Sequence, residues 1–278
     1  MTGATGNVGG KVARALVKSG AHVRALVRNP GNARLPEQIA VVQGDLTLPE
    51  TLDRALDGVD AVFLVWVAPV VAAAPAFEII AKHAQRIVFL SAPLKTPHPF
   101  FQQPNAGRAA AEEIERLIER SGLGWTFLRP HMFAEDAIGF WAPQIRSGDA
   151  VRWPYLDTPT APIDERDIAA VAVHALTEDG QVGDEYVLTG PESLTQREQI
   201  SVIGDVLGRS LRIEDMPPEE AKRELGSALS VPVANILISA WAAAAGQPAF
   251  VTSTLEQITG VPARTFRQWA EEHKNAFC

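Results

Sequence analysis

The residues whose types and spacing could do chemistry begin at the start of the chain. Gly3, Gly6 and Gly9 fall at i, i+3 and i+6 within the first ten residues. A helical pattern follows at once. Val8, Val12 and Leu16 share one face, and Ala13 and Val17 widen the stripe. A glycine turn feeding a helix N-terminus is an anion site. Absent side chains let a phosphate approach the backbone, and free N–H groups and the helix dipole favour negative charge.

The next segment, residues 21–28, alternates apolar and polar and reads as a strand. It ends about 20 residues beyond the glycines, where dinucleotide-binding folds place the residue that reads the ribose. In such a fold the first glycine makes the tight turn, the second admits the pyrophosphate and the third lets helix and sheet pack closely. The reading residue here is Arg28, not an acid. A carboxylate would bond the ribose 2′-OH, whereas a guanidinium suits a 2′-phosphate. The expected cofactor is therefore NADPH, ahead of NADH. The bland alternative is a solvated arginine at a strand end.

Two further candidates stand where later strands should end. Ser91 follows the apolar run 86–90, and His131 follows the run 125–128 and Arg129-Pro130. A hydroxyl or an imidazole there could donate a proton or hold a substrate oxygen. The alternative for each is structural, a strand-end hydroxyl satisfying backbone or a packed histidine. Phe100, Phe101, Phe133, Phe140, Trp141, Trp153 and Tyr155 fall in segments expected to close over the same region. Singly, each reads as core. Together they point to an apolar, planar substrate, with Phe101, His131, Phe133, Trp141, Trp153 and Tyr155 as the expected pocket. Lys95 and His98 lie in a proline-rich loop, 92–104, read as solvated surface. Asp164, Glu165 and Asp167 could suggest a metal. They open a helix, where acids cap free N–H groups, and no histidine stands at ligand spacing, so no metal is expected.

The elements that must position these groups alternate. Strands are expected at 21–28, 39–43, 61–67, 86–90, 125–128 and 185–188. Helices are expected at 49–56, up to 83, at 105–120, 133–145, 164–176, 196–207, 218–229, 233–245 and 263–276. Such alternation implies an α/β fold, a Rossmann-like doubly wound parallel sheet with right-handed crossovers. Ligands then bind at the carboxyl ends of the strands, which gathers Asp45, Val65, Ser91 and His131 at one crevice. The expected division is a dinucleotide domain over 1–130 and about 163–190, with a smaller, mainly helical substrate lobe from 131–162 and 191–278. The first strand should precede Gly3, yet only Met1 and Thr2 do. Either the strand is very short or the numbering omits natural residues.

The totals exclude several classes. A net charge of −8 with no basic run argues against a nucleic-acid binder. The apolar stretch 61–77 is at the short limit for a membrane span and contains Pro69 and Pro75, so it reads as a buried parallel strand and a helix start. The one cysteine, Cys278, cannot form an internal disulfide, which fits a reducing compartment. Lys11 and Arg14 interrupt the opening too early for a signal peptide, so a cytoplasmic protein is expected.

Taken together, the motifs resemble the NmrA-like branch of the atypical short-chain dehydrogenases/reductases. They are the glycine stretch 2–10, the strand end 26–30, Gly44-Asp45-Leu46, residues 121–130 and residues 163–176. Residues 152–155 and 186–195 resemble its actinobacterial NAD(P)-binding, epimerase-like members. The resemblance implies that Gly3, Thr5, Gly6, Asn7 and Val8 hold the pyrophosphate, Arg28 the 2′-phosphate, and that Asp45 and Leu46 border the adenine. It also implies a spread of functions: reductases of quinones and dyes, isoflavone-type reductases, and regulators that bind the dinucleotide without turnover. The Tyr–Lys pair of standard short-chain dehydrogenases, four residues apart, is missing. Tyr155 is followed at that spacing by Pro159 and Tyr186 by Gly190, and Ala111 stands where related members place a lysine. A sugar-epimerase mechanism needs that acid/base pair. A conjugated hydride acceptor needs less help, because the cofactor carries the hard chemistry. The leading expectation is an NADPH-dependent reductase of a small apolar conjugated molecule, quinone- or enone-like, acting on a small-molecule substrate. A non-catalytic NADP(H) sensor and a non-redox biosynthetic enzyme, such as a cyclase, are the alternatives.

Overall fold

A computed structural model describes residues 1–178, 180 and 182–278. Five parallel strands dominate its first half. The strands are β1 (Arg24–Val27), β2 (Ala40–Gln43), β3 (Ala61–Leu64), β4 (Arg86–Leu90) and β5 (Gly124–Pro130), with α1 (Asn7–Lys18), α2 (Leu52–Leu56), α3 (Ala73–His83) and α4 (Ala106–Arg120) among them. Next come α5 (Asp136–Ser147), β6 (Ala150–Trp153), β7 (Pro159–Thr160), α6 (Glu165–Thr177), β8 (Asp184–Leu188), β9 (Leu194–Thr195) and α7 (Gln196–Leu207). The chain ends with β10 (Arg212–Asp215), α8 (Pro218–Ala228), α9 (Val231–Ala244), α10 (Thr254–Thr259) and α11 (Phe266–His273).

β3, β4, β5 and β8 form a parallel sheet in that order, and β1 pairs with β2, also in parallel. Met1 and Thr2 lie between the two groups. The Met1 amine donates to Arg24 O and its carbonyl accepts from Leu26 N, while Thr2 N donates to Phe63 O. Thr2 Oγ1 also bridges the backbone of Val65, at 2.7 Å from N and 2.9 Å from O. Two residues thus do locally what a central strand does. A cavity of about 460 Å³, lined by Met1, His22, Arg24, Asp60 and Ala61 among others, continues from Met1 between β1 and β3.

The sheet is covered on both faces, which is why its strands read as near-continuous apolar runs. Alternate residues divide between two cores. Phe63, Val88 and Leu128 pack with Val12, Leu16, Ile168 and Val171 of α1 and α6. Leu64, Ile87, Phe89 and Phe127 pack with Leu52, Phe77, Ile80, Ile114 and Ile118 of α2, α3 and α4. A third core, built on Trp141, Trp153, Trp241, Phe266 and Trp269, holds the later helices around the parallel pair β6–β10.

Boundaries differ from expectation where side chains beyond a run leave the sheet. The strand expected at 61–67 ends at Leu64, and Val67 is exposed. The helix expected from Phe133 starts at Asp136, whose carboxylate accepts the Phe133 amide and closes a turn first. β6, β7, β9, β10 and α10 are additional to the expected elements. β10 carries a polar run, Arg212-Ile213-Glu214-Asp215, and only its pairing with β6 makes it a strand. Among the described residues no helix is long and apolar enough to cross a membrane.

Candidate active site at the carboxyl edge of the sheet

Two cavities open at the carboxyl ends of the strands. The first, of about 530 Å³, lies at the ends of β1, β2 and β3 and is lined by Gly3, Thr5, Arg28, Asn29, Asp45, Leu46 and Val67 among others. Its floor is the glycine turn. Gly3 has φ +67°, a left-handed conformation that a side chain strains, and a Cβ there would lie 2.7 Å from Val65 Cγ2. At Gly9 a Cβ would meet Gly3 O at 2.1 Å, so the turn and α1 close on each other only because both residues lack side chains. Gly6 is the N-cap of α1, and no side chain caps it. The first turn carries no acid, so its N–H groups are free for an external anion. Thr5, Gly6 and Asn7 are exposed at this end. Val8 is different: its side chain is buried in the α1–α6 core, leaving its backbone as the group that can serve a ligand.

On the same cavity the Arg28 guanidinium pairs with no carboxylate among the described residues. Asp45 is held in place by Thr47, whose N–H and hydroxyl both donate to Asp45 Oδ1 at 2.8 Å. These bonds, with the Arg28 charge adding, keep its carboxyl below the usual range. An uncapped helix N-terminus next to Thr5 and an Arg28 guanidinium without a carboxylate partner, with Thr5 and Arg28 lining one cavity, fit a dinucleotide with a second phosphate.

The second cavity, of about 500 Å³, lies at the ends of β4 and β5. Ser91, Phe101, His131 and Phe133 line it, as do Leu94, Arg108, Asp136, Ile236 and Leu237. Ser91 therefore belongs to this cavity and not to the first, and Val65 packs over Gly3 and lines neither. The other three residues expected in the pocket are placed elsewhere. Trp141 and Trp153 are 2% and 4% exposed, inside the third core, where Trp153 Nε1 donates to Gln196. Tyr155 packs against that core, with φ +50° in a turn whose carbonyl accepts from Thr158 N and Gln196 Nε2. Trp141 and Trp241 each meet Trp153 edge-on, at centroid distances of 5.9 and 5.6 Å, an arrangement favourable to buried aromatic rings.

The chemistry of the second cavity is set by two buried arrangements. Ser91 donates to Glu115 Oε1 at 2.6 Å, and Glu115 in turn receives Arg129 through Nε and Nη2 at 2.9 and 2.6 Å. Arg129 also reaches Glu185, which Lys95 meets from the loop. The Ser91 proton is thus directed away from the cavity. His131 Nε2 lies 3.1 Å from Thr96 Oγ1, and its ring sits 3.9 Å from that of Phe101. Burial, helped by the nearby His98, lowers its pKa to about 3, so the imidazole is neutral. His98 departs from the expected solvated loop. It is buried, accepts the Phe100 amide on Nδ1 and meets Pro248 O with Nε2 at 3.0 Å.

Arg108 and Asp136 escaped the sequence reading. Arg108 donates to the carbonyls of Leu94 and Phe101, tying both ends of the proline-rich loop to α4. Its signal was its place one turn inside a helix capped by Asn105, whose side chain accepts Arg108 N. Asp136 follows His131 by five residues, where a chain leaving a strand end turns back over the crevice.

Residues 3–179 match the model of the NAD(P)H-binding family. The chain belongs to that family. Among its relatives is the (4-alkanoyl-5-oxo-2,5-dihydrofuran-3-yl)methyl phosphate reductase of Streptomyces griseus, 40% identical over 100% of this chain and 98% of the relative. The NAD(P)H azoreductase of Xenophilus azovorans is 33% identical over 100% and 98%. A solved structure of an NADPH-dependent quinone oxidoreductase from Escherichia coli, complexed with NADPH, superposes with a TM-score of 0.80 at 24% identity, over 98% of each chain. Members of this NAD(P)H-binding family with the NmrA-like, atypical short-chain fold are thus this chain's neighbours in both sequence and structure, and they include reductases.

Proposed function

We propose that this NAD(P)H-binding protein is an NADPH-dependent reductase of a small, apolar, conjugated acceptor. The observation that carries the reading is the pairing of two cavities on one sheet edge. One has the uncapped helix N-terminus and the free Arg28, and the other is apolar, with a neutral His131. Gly3, Thr5, Gly6, Asn7 and the backbone of Val8 are the residues proposed to hold the pyrophosphate, with Asp45 and Leu46 beside the adenine. When bound, the dinucleotide supplies a hydride. The chain contributes binding, orientation and exclusion of water.

The substrate class rests on the second cavity. The Streptomyces griseus relative is named for the phosphate ester of an unsaturated, alkanoyl-bearing lactone, and the azoreductase for another conjugated acceptor. Both types of acceptor are flat and fit between aromatic walls such as Phe101 and Phe133. Arg108 is the guanidinium on this cavity; it donates to two loop carbonyls and pairs with Glu112 at 3.2 Å, so its charge is already partly met. That favours an apolar ring over a phosphate as the group the wall meets.

Titration of cofactor-free protein with NADPH and NADH tests the first half of the reading. NADPH should bind more tightly, and Arg28→Ala should weaken it about 10- to 100-fold, the range for hydrogen bonds to a charged group, while leaving NADH nearly unchanged. A panel of quinones and unsaturated lactones, with and without a phosphate, tests the second half by NADPH oxidation. Absence of binding by either dinucleotide would overturn the reading.

A further inference from the structure

We propose that Asp136 is the general acid that supplies the proton of the reduction. The proposal rests on the reductase reading above. Reduction of a conjugated C=C–C=O group adds a hydride to the electrophilic carbon. The C=C π electrons then move towards oxygen, leaving an enolate that must gain one proton. The hydride comes from the nicotinamide cofactor, which is oxidised. The proton must come from a group that reaches the substrate.

The other polar groups on the second cavity are poorly suited to that task. Ser91 directs its hydroxyl to Glu115, which Arg129 holds with two hydrogen bonds. His131 is buried and neutral, and its Nε2 faces Thr96. Arg108 holds two carbonyls, and a guanidinium serves as a hydrogen-bond donor and not as an acid. Asp136 remains. Its Oδ2 accepts the Phe133 amide at 3.2 Å, and among the described residues no hydrogen bond reaches its Oδ1.

The surroundings favour a protonated carboxyl. Burial raises the Asp136 pKa to about 6, the neighbouring Glu135 adds to the rise, and the Phe133 N–H opposes it. Its position in the first turn of α5 would hold it lower, and burial outweighs that. The charged groups around it come from several elements. Glu135 is bridged by Lys11 of α1 at 2.8 Å, Lys11 also faces Glu165 of α6 at 3.9 Å, and Arg108 of α4 and His131 share the cavity with Asp136. The carboxyl gives its proton to the enolate, becomes a carboxylate, and is reprotonated from water through the cavity mouth. One hydride and one proton are added to the substrate, and the acid is restored.

Asp136→Asn tests this. The amide oxygen can still accept the Phe133 N–H, so folding and NADPH affinity should be retained. With an acceptor that the wild type reduces, kcat should fall about 100-fold, within the range for loss of a general acid. Wild-type kcat should decline as pH rises through about 6. The variant should lose that limb, and Asp136→Glu should restore part of the rate. Carbon-13 NMR of aspartate carboxyls gives a readout independent of turnover. One resonance should titrate near pH 6 and be missing from Asp136→Asn. A variant with unchanged kcat and pH profile, or a carboxyl that titrates below about 4, would overturn the assignment while wild-type turnover leaves the reductase reading intact. Failure of the wild type to oxidise NADPH with every acceptor would overturn both. If Asp136→Asn does not fold, the wild-type profile, the NMR titration and Asp136→Glu decide the matter.

Discussion

Glu115 and Arg129 form the most deeply buried ion pair among the described residues, with side chains 7% and 1% exposed. Two parallel hydrogen bonds give it the fork geometry in which arginine and carboxylate are strongest. Such a pair need not stabilise more than an apolar one, but removing one partner leaves the other charge uncompensated. Glu115→Ala should therefore cost about 3 kcal/mol, even though Arg129 keeps its bond to Glu185. Urea unfolding should show it as a lower midpoint with an unchanged slope. Glu115→Gln, which retains an acceptor, should lose less. The pair also decides what Ser91 can do, since the serine hydroxyl is the third member of the network.

At the scale of elements, the turn before α1 is the most tightly specified joint. Gly9 sits where a Cβ would overlap the Gly3 carbonyl, at 2.1 Å, and the atom it would strike is backbone. Gly9→Ala must push α1 away from the turn. α1 packs on α6 through Val12 and Leu16, so the displacement also loosens that core. The expected outcome is loss of measurable NADPH binding together with a lower melting temperature, read by calorimetry with and without the dinucleotide. A variant with a lowered melting temperature and normal binding would show that the joint serves packing alone. α7 is fastened by a different device: Thr195 and Glu198 form a reciprocal capping box legible from their spacing.

Across the whole molecule, one buried acid couples the glycine helix, the crevice and α6. Glu165 is fully buried, its Oε1 accepts the Glu135 amide at 3.0 Å, and its Oε2 has no hydrogen-bond partner. Burial raises its pKa from 4.5 to about 7; Glu135 adds to the rise, and two backbone N–H bonds and Lys11 oppose it. A carboxyl whose folded pKa is raised holds its proton more tightly when folded. Its contribution to stability is complete below about 4.5 and is lost as pH rises through about 7. Glu165→Gln cannot ionise and escapes that loss. The melting temperature of the variant relative to the wild type should therefore climb between pH 5 and pH 8, with the wild type falling behind. A difference independent of pH would show that Glu165 ionises normally in the folded state.

What the sequence determined by itself was whatever short-range pattern dictates. The glycine spacing, the apolar runs of β3, β4 and β5, the caps at Asn105, Asp164 and Thr195, and Arg28 at a strand end each depend on a few neighbouring residues. Those features carry the parallel α/β fold and membership of the NAD(P)H-binding family. Tertiary structure decided which side chains reach the crevice. Phe101, Phe133, Trp141 and Trp153 are all aromatic, yet two line a cavity and two fill a core, Trp141 from α5 and Trp153 from β6. Asp136 is one acid in a helix start, and only the fold brings it to one cavity with α9 and the proline-rich loop, far away in the chain. Met1 and Thr2 bridge β1 and β3 through hydrogen bonds to residues 24, 26, 63 and 65, partners that no local pattern names. Burial and long-range hydrogen bonding set the protonation and direction of each polar group, and both exist only once the chain has folded.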